Sequence, residues 1–399
     1  MARKIKRGRN IYRRKRSKFR SIVTTSLWVI LIGAIGFVGF SVAGPFIDYI
    51  RTKDDNTSNI SKWTPPSSEP KSESAVNDDS AVNSTSEDAS EPTTTQKGNI
   101  AIEVPVEEVK SEEKLGAFLS AAKTDGYNAV VIQLKDETGL FLYDTNNEIA
   151  ISADTVGSNM KLADIVSKIK GENLVPIARI HTLKDALNTQ YSRDLNYQFQ
   201  DAGTVWLDNA PAKGGKRWIS PFNDEAVEFI SDISDEITDA GFEQIIYSSM
   251  IFPSFHNADY GYIGNDIKPE TRWTGLIELY NEVDRVVVAN NASSILEVSV
   301  KSAIEGTEEV YKVDQLQEKS VMAIYNVDEI GKKLKSGDES IAIPDTIYDA
   351  VTAVYQTLAD GADKTQIIPC IDKAGLSDGD LLEAVRAVKD LGYESYIVR

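Results

Sequence analysis

The sequence predicts an α/β protein, with a (β/α)8 TIM barrel over residues 99–399 that is preceded by one transmembrane helix and a disordered linker. Three observations predict this organisation. An uncharged apolar segment follows a basic start, and a stretch rich in Ser, Thr, Asp, Glu and Pro comes next. The remainder, about 300 residues, alternates short β-branched runs with amphipathic segments, as expected for parallel strands joined by helices.

The first part of the chain predicts a membrane anchor. Residues 1–20 hold eleven basic side chains and no acidic one, whereas the whole chain has a formal net charge of -18. Residues 21–47 carry no charge, and a helix of roughly 20 apolar residues spans a bilayer. The basic flank predicts a cytoplasmic tail and an exported C-terminal part, hence a single-pass protein of the cell membrane. Ser41-Val42-Ala43 resembles a signal-peptidase site, but the apolar run exceeds the roughly 7–15 residues of a signal peptide and favours an uncleaved anchor.

Residues 48–98 predict a disordered spacer. They are Ser, Thr, Asp, Glu, Asn and Pro with few large apolar groups, so they bury too little surface to offset the entropy of ordering.

The single cysteine, Cys370, excludes an intrachain disulfide, and the exported domain must be held together by its hydrophobic core.

Eight apolar runs predict the strands of the barrel. They are residues 100–104, 129–134, 174–180, 244–250, 294–300, 321–325, 366–371 and 395–399. Amphipathic segments between them end at Gly126, Gly241 and Gly392, which are typical helix stops. The count of eight favours a closed barrel, with a doubly wound open sheet as the alternative.

Two connections are unusually long: residues 181–222 after the third strand and 252–270 after the fourth. In a barrel both lie at the carboxyl ends of the strands, where active sites are built. They contain His181, Trp206 and His256 together with many other aromatic residues. Aromatic loops suit sugar stacking, but they equally suit packing over the barrel mouth.

Three stretches resemble a known family when taken together. They are NAVVIQLKDETGLFLYD (128–144), LVPIARIHTLKDALNTQYSRDLNYQ (174–198) and WISPFNDEAVEFISDISDEITDAGFEQIIYSSMIFP (218–253). Their order is similar to that of the bacterial family described as putative glycoside hydrolases with a TIM-barrel domain, distantly akin to the alpha-amylase superfamily. Lys135, Asp136 and Gly139 match its Lys-Asp-x-x-Gly turn. The resemblance covers roughly residues 99–399 and implies the fold and a carbohydrate substrate, more than a particular reaction.

The sequence departs from that family at the ends of its strands. Where relatives show Phe-Asp-Tyr-x-Arg-Phe-Pro after the fourth strand, this chain has Ser248 at the Asp position and Ile251 at the Arg position. Relatives often carry an inward Asp on the fifth strand, at the position of Ser299 here. The Pro-Trp-Leu-Gln of the seventh strand is replaced by residues 369–372, Pro-Cys-Ile-Asp.

These departures bear directly on catalysis, because glycoside hydrolysis needs two carboxyl groups beside the scissile bond. A serine side chain cannot stabilise the developing oxocarbenium ion by its charge, and it cannot act as the general acid near neutral pH. The acids near strand ends are Glu103, Asp136, Glu137, Glu297, Asp328 and Asp372. Of these, Asp136, Glu297 and Asp372 are the candidates for a relocated catalytic pair. Each has a structural alternative: a turn for Asp136, and for Glu297 a buried pair with a cation such as Arg179.

Substrate contacts are expected from residues of the same face. They are Lys135, Arg179, His181, Trp206, Tyr247, Ser248 and His256. Two histidines without paired spacing give no metal signal, and no cofactor fingerprint is present, so neither a metal nor a cofactor is expected. The acidic exported domain argues against nucleic-acid binding.

Three functions remain open from the sequence. The first is a degenerate barrel that binds cell-wall or surface polysaccharide with weak or lost hydrolysis. The second is an active hydrolase with relocated carboxylates, and the third is a non-catalytic module that binds proteins at the surface. Nucleophilic serine chemistry, with Ser248 or Ser249 and His256, lacks a G-x-S-x-G elbow and is disfavoured.

Overall fold

The computed structural model describes residues 98–200, 203–306, 316, 319–362 and 364–399. The predicted tail (1–20), transmembrane helix (21–47) and nearly all of the linker (48–98) lie outside these residues. Among the residues described, no helix is long and apolar enough to cross a membrane. The described residues belong to one compact unit.

The described chain forms a closed barrel of eight parallel strands. The strands are β1 (Ile100–Glu103), β2 (Ala129–Lys135), β3 (Val175–His181), β4 (Gln244–Ser248), β5 (Ser293–Ser299), β6 (Ser320–Tyr325), β9 (Gln366–Ile371) and β10 (Tyr396–Val398). Their order around the barrel is β1-β10-β9-β6-β5-β4-β3-β2. An antiparallel hairpin of β7 (Lys333–Ser336) and β8 (Glu339–Ala342) follows β6 outside the barrel. All eight predicted barrel strands are confirmed, whereas the hairpin was not predicted.

Helices surround the barrel. They are α1 (Val106–Val109), α2 (Glu112–Thr124), α3 (Glu148–Ala153), α4 (Leu162–Gly171), α5 (Asn188–Tyr191), α6 (Asp224–Asp239), α7 (Asp259–Tyr262), α8 (Arg272–Ala289), α9 (Val300–Glu305), α10 (Val327–Ile330), α11 (Ile347–Gly361) and α12 (Asp378–Asp390). Short 3₁₀ turns lie at Pro211–Lys213 and Asn265–Ile267.

Local signals explain where the longer helices begin and end. The side chain of Ser111 caps α2, and Ser377 forms a capping box with Asp380 at the start of α12. The three predicted helix stops, Gly126, Gly241 and Gly392, all have a positive φ that favours glycine.

The side chains on the two faces of each strand pack into different hydrophobic cores. Alternate residues of neighbouring strands, such as Ala129, Val131 and Ile177, point into the barrel and form one apolar cluster. The intervening residues face the helices and belong to a larger outer core. The interior residues become polar where the strands end, and this positions the candidate site.

Candidate functional site

Charged and polar side chains fill the barrel interior at the carboxyl ends of the strands. The set is Glu103 at the end of β1, Gln133 on β2, Arg179 on β3, Ser248 at the end of β4, Glu297 on β5 and Arg399 just after β10. Below this layer the interior is apolar, with Cys370, Ile177 and their neighbours. We call the six residues the mouth cluster.

Arg179 lies at the centre of the mouth cluster and is 4% exposed. Its Nη2 donates to Glu103 Oε1 at 2.6 Å and to Gln133 Oε1 at 2.7 Å. Its Nη1 lies 3.5 Å from Glu297 Oε2. One guanidinium on β3 therefore contacts side chains from three other strands, and its planar fork suits this bridging better than a lysine would.

Arg399 is a second bridge between the same two carboxylates. Its Nε lies 3.7 Å from Glu103 Oε2, and its Nη1 lies 3.7 Å from Glu297 Oε1. These contacts are looser than those of Arg179, and the Arg399 side chain is 33% exposed. Two arginines thus face two glutamates, and the charges of the mouth cluster balance.

The two carboxylates are close enough to act on one bond. Because both contact the Arg179 guanidinium, their nearest oxygens are separated by no more than roughly 9 Å, which does not exceed the upper limit of about 9.5 Å for the carboxyl pairs of glycoside hydrolases. Burial raises the pKa of Glu103 from its ordinary value and outweighs the lowering by Arg179 and Arg399. A raised pKa is the property that a general acid needs.

Ser248 lies at the position where the resemblance noted from the sequence implies an aspartate, and its side chain contacts a neighbouring acid. It is fully buried, and its Oγ donates to Glu297 Oε2 at 2.5 Å. The fourth strand therefore ends in a residue that orients a carboxylate instead of supplying one. Ser299 lies apart from this contact, because its hydroxyl caps α9 by accepting from the Ser302 amide at 3.1 Å.

His181 and Ser249 form a second polar contact at the mouth. His181 Nδ1 lies 2.8 Å from Ser249 Oγ, and Ser249 has a positive φ of 53°. Burial lowers the pKa of His181 to about 3, with further lowering by Arg179 and Lys135. Such an imidazole is a poor acceptor for a serine proton near neutral pH, so this pair does not support nucleophilic catalysis.

Lys135 is held in a buried ion pair. Its Nζ lies 2.8 Å from Asp185 Oδ2 and donates to the His181 carbonyl at 2.8 Å. The Lys135 and Asp185 side chains are 1% and 0% exposed. The matched Lys-Asp-x-x-Gly turn thus ties β2 to the loop after β3, and Lys135 has no face open to a ligand.

Two of the three candidate catalytic acids hold loops in place. Asp136 Oδ1 accepts from the amides of Thr138 at 2.8 Å and Leu140 at 2.9 Å, as expected of an Asx turn. Asp372 accepts from Asn326 Nδ2 at 3.1 Å and from the Ala374 amide at 3.0 Å. Glu297 alone among the three lies in the mouth cluster.

Other predicted contact residues lie away from the barrel interior. Tyr247 points to the helices, where its hydroxyl donates to Ser234 Oγ on α6 at 2.9 Å and its ring meets Tyr280 edge-on at 6.2 Å. This corrects its expected place at the mouth, because alternation along β4 turns it outward. His256 is exposed on the loop after β4.

Trp206 is 3% exposed and packs within a cluster of aromatic side chains from the two long loops. Its ring lies 5.9 Å from Tyr197 and 5.0 Å from Phe255. Phe222 and Phe252 continue the cluster, stacked at 5.9 Å. The packing alternative therefore accounts for Trp206, whose ring has no free face for a sugar.

Gln133 and Arg399 were not predicted as members of the mouth cluster. Both were visible as inward positions at the ends of their strands, but their chemical type alone gave no catalytic signal. In the described part of the chain, no group of three or more His, Cys, Asp or Glu side chains is arranged to hold a metal ion. The Cys370 thiol lies inside the barrel, where burial raises its pKa far above the ordinary value.

Comparison with known proteins assigns the family. The sequence model described as "Putative glycosyl hydrolase domain" matches residues 101–320, more than half of the chain. The chain belongs to this family. A comparison with curated proteins gives no match.

Several solved structures are similar to this chain. The glycoside hydrolase domain of PgaB (BpsB) from Bordetella bronchiseptica is similar with a TM-score of 0.51 and 13% identity, covering 76% of this chain and 94% of that one. The catalytic domain of beta-amylase from Paenibacillus polymyxa gives a TM-score of 0.47 and 10% identity over 76% of this chain and 92% of that one. A hypothetical protein from Ruminiclostridium thermocellum ATCC 27405 gives 0.40 and 20% identity over 48% and 96%. At 13% identity, the first similarity concerns the fold.

Proposed function

We propose that this protein is a membrane-anchored, extracytoplasmic barrel that binds cell-wall or surface polysaccharide, with weak or lost hydrolysis. The observation that carries the proposal is the neutralised mouth cluster. Glu103 and Glu297 each contact both Arg179 and Arg399, so in the absence of a ligand both carboxylates are already paired with arginines and are not poised as a free acid and a free nucleophile.

Support for a glycan ligand comes from family membership and from the site's position. The family's description names glycosyl hydrolysis. The mouth cluster lies at the carboxyl ends of the strands, where barrel proteins bind ligands. Polar donors around it, including Gln133, Ser249 and the partly exposed Arg399, are suited to sugar hydroxyls.

A second candidate function is hydrolysis by the Glu103 and Glu297 pair. It is favoured by their proximity and by the raised pKa of Glu103. In this arrangement Glu103 would protonate the leaving oxygen, and Glu297, oriented by Ser248, would act from the other side of the bond. Substrate would have to displace Arg399, whose contacts are the looser ones.

One experiment separates the two functions. Residues 91–399, one compact unit, are incubated with purified bacterial cell-wall polysaccharides, and co-sedimentation and release of reducing ends are both measured. We expect binding, with no release above that of a Glu103→Gln/Glu297→Gln variant. The matched control is Glu383→Gln, which removes an exposed acid. If reducing ends are released and Glu103→Gln or Glu297→Gln abolishes that release, the protein is a hydrolase instead. If no polysaccharide binds, the proposal of a carbohydrate ligand is wrong.

The proposed anchoring is tested separately. In a bacterial host, the full-length chain should sediment with membranes, and the barrel should be digested by protease added to intact cells. A chain that lacks residues 21–47 should leave the membrane fraction. Retention in the membrane without these residues would contradict the anchor.

A further inference from the structure

A second layer of polar side chains lies at the amino ends of the barrel strands, opposite the mouth cluster. Six strands each contribute one uncharged residue at or just before their start, and these are Asn99, Gln244, Ser293, Ser320, Gln366 and Ser395. Each lies two residues before a member of the apolar cluster inside the barrel, so alternation along the strand turns its side chain inward. All six line a solvent-open cavity of about 740 Å³, which we call the amino-end cavity.

Hydrogen bonds within this layer leave two polar groups available for a ligand. Asn99 Nδ2 donates to Gln244 Oε1 at 3.1 Å, and Gln244 Nε2 donates to Ser293 Oγ at 3.2 Å. Ser320 Oγ donates to Gln366 Oε1 at 3.0 Å. Asn99 Oδ1 and Gln366 Nε2 make no hydrogen bond to another described residue. The lining therefore offers an uncharged acceptor and an uncharged donor, and hydroxyl or amide groups satisfy both.

The charge of the amino-end cavity is negative at its rim. Its charged lining residues are Glu243 and Glu394, and both are exposed. None of the described residues that line it is basic. The floor includes the buried side chains of Ile177, Ile295 and Ile397. The cavity therefore suits an uncharged or cationic segment with hydroxyl and amide groups, and it disfavours an acidic segment.

The chain enters the barrel along the wall of this cavity. Gly98, the first residue described, belongs to the lining. Its carbonyl accepts from Asn128 Nδ2 at 2.9 Å, and the amide of Asn99 donates to Ser395 Oγ at 3.0 Å. A Cβ on Gly98 would lie 2.2 Å from the Glu394 carbonyl oxygen, so only glycine permits this close approach. The segment that precedes Gly98 therefore starts at the edge of the cavity.

The sequence before Gly98 has the composition that the cavity favours. Residues 92–97 read Pro-Thr-Thr-Thr-Gln-Lys and contain no acid, whereas residues 69–91 are rich in Glu and Asp. The three hydroxyls and the amide can each donate and accept a hydrogen bond, and Lys97 is opposite in charge to the rim. Six extended residues reach about 20 Å, which exceeds the roughly 15 Å between opposite strands of an eight-stranded barrel.

We propose that residues 92–97 dock in the amino-end cavity of their own barrel. Attachment at Gly98 gives this segment an effective concentration on the order of millimolar, so weak contacts are sufficient to hold it. The spacer then joins the barrel at the end opposite the mouth cluster, and the mouth stays open to a ligand. This docking goes beyond the proposed function and does not depend on the polysaccharide proposed for the mouth.

Hydrogen exchange of the full-length chain, purified in detergent and followed by mass spectrometry, tests the docking. Exchange rates are corrected for the intrinsic rate of each sequence. We expect the amides of residues 93–97 to exchange about 10-fold or more slowly than their intrinsic rates, because docking protects them from water. Residues 78–90 of the acid-rich spacer are the internal comparison and should exchange at intrinsic rates.

The informative variant is Thr94→Asp/Gln96→Asp, which places two negative charges in the segment. It should lose the protection, because carboxylates are repelled by the acidic rim. Thr94→Ser/Gln96→Asn is the matched control, since it keeps a hydroxyl and an amide, and it should keep the protection. Both variants lie outside the barrel, so its stability does not affect the result. Ser320→Trp fills the cavity from the other side and should also abolish the protection.

Three results would overturn the docking. The first is exchange of residues 93–97 at intrinsic rates in the wild type. The second is equal protection in the wild type and in Thr94→Asp/Gln96→Asp. The third is protection that falls on dilution, which assigns the cavity to the same segment of a second copy. Polysaccharide binding depends on the mouth alone, so failure of either proposal leaves the other standing.

Discussion

Replacement of Arg179 by glutamine tests the electrostatic account of the mouth cluster. The guanidinium compensates two glutamates, and the Arg179 side chain is 5% exposed, so solvent screens the pairs weakly. Without it, the ion pairs of Glu103 and Glu297 in the mouth cluster are reduced to the Arg399 contacts at 3.7 Å, and Glu297 keeps the hydrogen bond from Ser248. Removing one partner of a buried pair costs about 3–5 kcal/mol, and we expect Arg179→Gln to lower the free energy of unfolding by that amount at pH 7.

The loss should depend on pH with a definite sign. The pKa of Glu103 in the folded protein is raised above its ordinary value of 4.5, so its contribution to stability is fully present below that value and is lost as the pH rises through the raised pKa. Loss of Arg179 raises that pKa further. The cost of Arg179→Gln should therefore be largest near pH 7 and should shrink towards pH 4.5, as the glutamate takes up a proton.

Urea unfolding followed by tryptophan fluorescence at pH 7 and pH 5 measures both quantities. The matched control is Arg386→Gln, because Arg386 forms an exposed pair with Glu383 at 2.6 Å that is worth at most about 1 kcal/mol. A cost of Arg179→Gln no larger than that of the control, or a cost equal at the two pH values, would refute the reasoning.

Three other predictions concern residues around the mouth. Lys135→Met and Asp185→Leu should each lower the free energy of unfolding by about 3–5 kcal/mol, because each leaves one buried charge without its partner. The double variant should lose less than the sum of the two, and a double-mutant cycle measured by urea unfolding tests this. His181 should show a constant NMR ring-proton shift between pH 5 and 8, because burial lowers its pKa to about 3. Its stability contribution is present above 6.5 and is lost as the pH falls towards 3, so a ring that titrates near 6.5 in the folded state would contradict the burial argument. Gly139→Ala should lower the Tm strongly and reduce the free energy of unfolding by about 2–4 kcal/mol, because the φ of Gly139 is 103° and an added Cβ would overlap the Asp185 carboxylate. The control is Gly116→Ala, whose added Cβ would meet no neighbouring atom, and it should be neutral or stabilising.

The fold was largely predictable because the barrel strands are marked by short β-branched runs and the helices by regular spacing. Each predicted run contains or overlaps a strand, from Ile100–Glu103 to Tyr396–Val398. The hairpin of Lys333–Ser336 and Glu339–Ala342 escaped prediction, because most of its side chains are exposed and the pattern carries little apolar signal. The turn of this hairpin and the contacts that it makes in the folded chain stabilise it, and neither gives an apolar pattern in the sequence.

The candidate site was predictable only in part. The end of the fourth strand drew attention to Ser248, and Glu297 was expected either as a catalytic acid or as a buried partner of Arg179, whereas Gln133 and Arg399 gave no chemical signal. Nothing in the sequence shows that Ser248 donates to Glu297, because residues on neighbouring strands meet only through register and rotamer. Trp206 shows the opposite error, since an aromatic residue in a loop has the same sequence signature whether it binds sugar or packs against Phe255.

The balance of two arginines and two glutamates in the barrel restricts how this site can diverge. Substitution of any one of the four leaves a charge without a counterion in a poorly hydrated interior, whereas substitution of an acid together with a base keeps the interior neutral. Relatives that retain an aspartate at the position of Ser248 would carry one more negative charge here. We expect such relatives to differ from this chain at a second position in the same layer, one that restores neutrality. The two positions would then change together, although they lie on different strands.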